Sequence, residues 1–181
     1  MSNLLEKASI LTTPTAYDDG KILSVKPSIV LGAELVTNGD FSDGTNGWGA
    51  SGGATISIVN GELEVNVTGG GGGFVRTSNI SCVDGRAYIV SVDYRAGTYV
   101  GDVLPIIDNN ALGLITPTSE TQTKTWKVVA TGSSFQLSFV RSAAYTGTIY
   151  YDNVSVKEAI DGDFDFTRNS SATRVNAQGL I

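Results

Sequence analysis

Chemistry near neutral pH needs groups that move protons, attack carbon or hold a metal, and this chain is short of them. It has no histidine, which removes Ser-His and Cys-His nucleophile systems and every imidazole metal site. Its single cysteine, Cys82, cannot close an internal disulfide. It sits in Ile80-Ser81-Cys82-Val83, a β-prone run that suits a small buried residue better than a reactive thiol. Asp and Glu number 18, yet no pair stands in a setting that would raise one pKa for glycoside cleavage. Asp161-Gly162-Asp163-Phe164-Asp165 starts like a calcium-binding loop. Phe166 then falls where that loop needs glycine, and Ala172 falls where it needs an acid. The run from Gly69 to Gly73 has no following Gly-Lys-Ser/Thr, so it is not a phosphate loop. The expectation is a protein that is not an enzyme.

Any surface that does act must be held by strands. Apolar residues make up 41% of the 181, with 22 glycines and only 4 prolines, a profile of short strands joined by tight turns. The net charge of −6 carries no basic stripe, which argues against nucleic acid and anionic membrane as partners. No stretch approaches the roughly 18 apolar residues of a membrane span. The first residues lack the basic start and apolar run of a signal peptide.

Residues 148–157 are expected to form the organising strand, with Ile149, Tyr151, Val154 and Val156 on its buried face. The phase slips near Asp152-Asn153, which predicts a bulge or a ligating kink. Its partner is expected in Glu34-Leu35-Val36-Thr37-Asn38-Gly39-Asp40-Phe41. Residues 55–59 and 62–67 read as a hairpin about Asn60-Gly61, whose types supply the positive φ angles of a two-residue turn. Tyr88, Val90, Val92 and Tyr94 share one side of another strand. Pro105 demotes residues 100–107 to an edge. Residues 125–130 and 134–140 read as a second hairpin. The sum is an all-β fold: an antiparallel two-sheet sandwich over residues 34–158. Residues 1–33 form an extended N-terminal arm, with Leu4, Leu5, Ile10, Leu11, Ile22 and Leu23 as anchors for neighbouring subunits. Residues 159–181 form a C-terminal linker or junction, alternating at Phe164 and Phe166 and then wholly polar.

Asn38-Gly39-Asp40-Phe41 with Gly47-Trp48 near one end, and Tyr150-Tyr151-Asp152-Asn153-Val154-Ser155-Val156 at the other, resemble carbohydrate-binding modules of families 4, 9 and 22. Thr125-Trp126-Lys127 fits the same pattern. The resemblance implies a jelly roll with a structural calcium where its first and last strands meet. Asp152 would then ligate with Asn38, Asp40 or Ser42. Ser42 departs from the acid often found there, and the alternative is that these residues only shape turns. A sugar site needs aromatic faces beside paired polar groups. Trp48 and Trp126 match positions that pack inward, which leaves Tyr94, Tyr99, Tyr145 and Tyr150, with Arg95, Asp102 and Gln136 as polar partners.

The ends resemble a second group. Residues 166–176 with Gly179-Leu180-Ile181, and the arm at residues 1–27, are similar to segments of tail, fibre and other virion proteins of tailed bacteriophages. That implies a virion structural protein, assembled in several copies with a trimer as one option, bound through its arm to capsid, portal or tail proteins and displaying a jelly roll for glycan contact. The rival expectation is a binding module of a larger secreted or cell-surface polysaccharide-active protein.

Overall fold

The computed structural model describes residues 17–18, 21–22, 29–68, 73–108, 110–141 and 146–160. Within residues 1–30, β1 (Tyr17–Asp18) and β2 (Lys21–Ile22) pair as a small antiparallel ladder. The anchors Leu4, Leu5, Ile10, Leu11 and Leu23, and the segment 161–181, lie outside the described residues, as does the side chain of Ile22.

Residues Leu31–Ala159 make the larger compact unit. Its strands are β3 (Val30–Glu34), β4 (Trp48–Ser51), β5 (Ala54–Val59), β6 (Glu62–Val67), β7 (Phe74–Thr77), β8 (Ile80–Ser81), β9 (Ala87–Ala96), β10 (Val103–Ile107), β11 (Asn110–Ala111), β12 (Gln122–Val129), β13 (Ser134–Phe135), β14 (Leu137–Arg141) and β15 (Gly147–Ile160). One sheet runs β12-β9-β15-β6-β5, with β3 also on β15; the other runs β11-β10-β14-β7-β4, and β8 pairs β13. The fold is therefore the expected all-β antiparallel sandwich of jelly-roll type.

Local signals explain much of it. Asn60 and Gly61 take φ of 54° and 87°, so the chain reverses between Val59 and Glu62 and β5 lies in register on β6. In β15 the register on β9 shifts between Asp152 and Ser155, with Asn153 at φ 49°. This bulge is why Tyr151 and Val154 both point inward although they are three apart. Leu63, Val65, Val75, Val90, Val92, Leu137, Phe139, Ile149 and Val156 are fully buried between the sheets. Phe139 stacks on Tyr151 at 4.5 Å between ring centroids, and Phe41 packs tilted at 53° against Trp48 at 5.1 Å. Trp48 is in the core and Trp126 packs against it, so both indoles are structural.

Three details differ from the sequence reading. Residues 125–130 and 134–140 do not form a hairpin: β12 pairs β9 in one sheet, and β14 pairs β10 and β7 in the other. The chain crosses between layers there, held by Ala130 N donating to Arg86 O and Cys82 N to Ser133 O. Alternation marks the two strands but not which sheet each joins. Pro105 sits in β10, which has β14 on one side and only the two-residue β11 on the other. Cys82 is half-buried rather than buried, its Sγ 3.2 Å from Gly132 O.

Candidate functional site

Three surfaces bear polar side chains in ordered arrays, and they differ in how much capacity is left for a ligand. On the outer face of the β9-β15-β6 sheet, register sets Arg95, Tyr150 and Glu64 in one row. The Arg95 guanidinium lies 3.9 Å from the Tyr150 ring centre and also pairs with Glu62. Tyr150 OH donates to Glu64 Oε2 at 2.7 Å, and Ser57 Oγ donates to Oε1. Below this row Asp93 accepts from Thr123 Oγ1 at 2.6 Å and Asn153 Nδ2 at 2.9 Å. Each strong group has a protein partner, and the face of Tyr150 is already covered.

The opposite sheet offers a groove of about 260 Å³ lined by Phe74, Arg76, Ile106, Asp108, Gln136, Ser138 and Val140. Pairing builds it. Val140 lies opposite Phe74 and Leu104, and Ser138 lies opposite Arg76 and Ile106. Alternate residues of each strand share a face, so an aromatic and aliphatic row sits beside a polar one. The third row is Asp108 with Gln136: Gln136 N donates to Asp108 Oδ1 at 3.2 Å, and Gln136 Nε2 to Thr77 O at 3.1 Å. The Gln136 amide oxygen stays available as an acceptor. The Arg76 side chain is exposed, 5.5 Å above the Phe74 ring centre, and among the described residues its guanidinium has no hydrogen bond or ion pair. Apolar carbon beside a guanidinium, a carboxylate, an amide and a hydroxyl matches what a sugar ring presents, with C–H faces on one side and hydroxyls at its rim.

The third surface is the junction where residues 34–40 meet β15, a cleft of about 370 Å³ lined by Glu34, Val36, Asn38, Gly39, Asp40, Asn153, Val154, Ser155 and Lys157. Glu34 Oε1 accepts from the N–H groups of Leu35, Val36 and Val156 at 3.0, 3.0 and 2.8 Å. Its Oε2 accepts from Ser155 Oγ at 2.5 Å and lies 3.9 Å from Lys157 Nζ. Burial raises the Glu34 pKa, but the Ser155 hydroxyl and those backbone donors outweigh it and bring the carboxyl below the ordinary glutamate value. Asp152 goes the other way, raised chiefly by burial and then by Glu62, Asp93 and Asp40, against the Asn153 N–H.

The sequence-derived sites scatter across these surfaces. Tyr94 and Tyr99 are 6% and 2% exposed; their rings complete the core, which corrects their reading as open platforms. Tyr150 and Arg95 cover each other, and Tyr145 lies outside the described residues. Asp102 accepts from Thr116 Oγ1 at 2.6 Å and lines neither this groove nor the junction cleft. Of that set only Gln136 lines the groove. Phe74 and Arg76 were missed, although the alternation of Phe74-Val75-Arg76-Thr77 already places them on one face. Of the calcium set, Asn38 and Asp40 line the junction cleft, whereas Ser42 and Asp152 do not. Among the described residues no three His, Cys, Asp or Glu side chains gather closely enough to hold a metal ion.

A family model described as a carbohydrate binding domain, of the CBM 4/9 type, matches residues 33–139, more than half of the chain. A solved structure described as "CBM4 structure and function" has a TM-score of 0.55 and 18% identity, over 68% of this chain and 99% of that one. A variant of the module CBM29-2 complexed with mannohexaose has a TM-score of 0.52 and 19% identity, over 73% of this chain and 93% of that one. The enzymatically active domain of tailspike protein 4 of bacteriophage CBA120 has a TM-score of 0.55 and 16% identity, over 69% of this chain but 21% of that one. At such identities the likeness to these structures is one of fold. No curated protein sequence matches the chain.

Proposed function

The chain belongs to the carbohydrate binding domain family, and from that premise we propose that its sandwich binds a glycan without cleaving it, along the groove of β7, β14 and β10. The observation that carries this is the Phe74 ring beside an Arg76 guanidinium with no hydrogen-bonding or ion-pair partner among the described residues. Phe74 and Val140 take a sugar's C–H face, Arg76 and the Gln136 amide oxygen take its hydroxyls, Ser138 adds a hydroxyl in the middle row beside Arg76, and Asp108 stands at the Gln136 end. Tyr150 and Arg95, on the other face, serve stability.

The setting we propose is the virion of a tailed bacteriophage. The sandwich is displayed there as a fibre, tail or head-decoration component, with Leu4, Leu5, Ile10, Leu11, Ile22 and Leu23 anchoring the arm on other virion proteins. What supports this is the character of the two ends in sequence and the recurrence of the sandwich fold in a phage tailspike. Several copies, a trimer among the options, convert weak single contacts into avid attachment. A second reading, a module of a larger secreted polysaccharide-active protein, is favoured by one fact: 68% of this chain matches 99% of the solved chain described as "CBM4 structure and function", so the sandwich spans nearly all of that chain.

Isothermal titration of the full chain with mannohexaose, cellulohexaose, xylohexaose and host-surface polysaccharide tests the site. We expect binding to at least one, lowered about tenfold or more in Phe74→Ala and Arg76→Ala, since one ring or one charged hydrogen bond contributes about 1–2 kcal/mol. Binding that survives both substitutions moves the site elsewhere. A mass-spectrometric inventory of purified phage particles decides between the two settings.

A further inference from the structure

The fold family carries an expectation of calcium at the junction of the first and last strands, and the residues there do not fit that ion. Calcium takes six to eight oxygens, usually with several carboxylates. In the cleft, both Glu34 oxygens already accept hydrogen bonds, four in total. Asn38 Oδ1 accepts from Asp43 N at 2.9 Å, and its carbonyl accepts from Trp48 Nε1 at 3.1 Å. Gly39 O accepts from Val154 N at 2.9 Å. Asp40 Oδ1 accepts from both the N–H and the hydroxyl of Ser42. The remaining charged group on the cleft wall is a cation, Lys157, 3.9 Å from Glu34 Oε2. A divalent ion placed there would displace internal hydrogen bonds and face an ammonium.

We propose that the protein closes this junction itself: Glu34 clasps residues 34–36 to β15, Lys157 supplies the positive charge, and the sandwich neither binds nor needs calcium. The clasp is a two-strand device. Two of its donors, Leu35 N and Val36 N, belong to the first strand's exit, and two, Ser155 Oγ and Val156 N, to the last strand. Leu35 N also donates to Val156 O at 3.0 Å, so the backbone is laced on both sides of the carboxylate. The glycan reading plays no part in this inference.

Calorimetric melting of the full chain at pH 7, in EDTA and then in about 5 mM calcium chloride, is the direct test. The expected result is the same Tm in both, within about 1 °C, with no heat of calcium binding by titration. Glu34→Gln keeps the shape and can leave an amide oxygen facing the three N–H groups, but it removes the negative charge and puts an NH2 where Oε2 accepted from Ser155 Oγ and faced Lys157. It is expected to lower Tm by about 3–8 °C, with no rescue by calcium. A lower Tm in EDTA, saturable calcium binding, or an unchanged Tm in Glu34→Gln would each overturn the proposal.

Discussion

Arg141 is 3% exposed, and among the described residues none of its three guanidinium nitrogens has a hydrogen-bond partner. Tyr151 OH, also buried, lacks one too. The guanidinium lies 5.9 Å from the Tyr99 ring centre, near the limit of a useful cation–π contact of about 0.5–2 kcal/mol. Against that stands the cost of burying an unpaired ion, several kcal/mol even after relaxation. Burial accordingly depresses the Arg141 pKa. Replacing the charge by an apolar side chain of similar length, Arg141→Met, is expected to stabilise the sandwich by about 1–4 kcal/mol. With a urea slope of about 1–3 kcal/mol per molar, the unfolding midpoint should rise by roughly 1 M. Urea titration followed through tryptophan fluorescence, with Trp48 in the core and Trp126 packed against it, reads this directly. A midpoint that falls by a comparable amount would refute the reasoning, because it would mean that the guanidinium holds a bond worth more than its burial costs.

Gly39→Ala should be severe, about 2–4 kcal/mol in chemical denaturation, because a Cβ there would stand 1.9 Å from Val154 O and only backbone could give way. The acid limb of stability has two opposed parts. Glu34, with its folded pKa lowered, contributes stability present above its ordinary value of 4.5 and lost as pH falls through the folded pKa. Asp152, with its folded pKa raised, contributes stability that is full below 3.8 and lost as pH rises through the folded pKa. Melting curves from pH 3 to 7 should therefore show Glu34→Gln flattening the acid decline and Asp152→Asn steepening it; the reverse pattern would contradict both assignments. Arg95→Ala should cost about 0.5–1.5 kcal/mol, from a part-exposed ion pair and its ring contact. Glycan affinity should not change in that variant.

What the sequence made legible was local. Asn60-Gly61 dictates its own turn, and the broken alternation at Asp152-Asn153 is the bulge seen in the register, because both depend on neighbours in the chain. The groove was not legible. Ile106, Ser138 and Arg76 share a row only because β10, β14 and β7 are adjacent, and nothing in any one strand reveals that order. The supposed hairpin of residues 125–140 failed for the same reason, since a few loop residues can reverse a chain or carry it to the other layer. Tyr94 shows a conflict within the sequence itself: its periodicity places it with Tyr88, Val90 and Val92 on the inner side. Its aromatic character invited a surface role that its phase denied.

The position of β15 has a bearing on synthesis. It is last in sequence among the described strands yet lies between β9 and β6. A nascent chain lacking it therefore holds two unfinished half-sheets with bare backbone facing each other. Until residues 147–160 leave the ribosome, neither half can satisfy its inner edge, and premature termination in that window would yield a sticky product. The central location of β15 thus makes completion of the sandwich a late event, coupled to translation of residues 147–160.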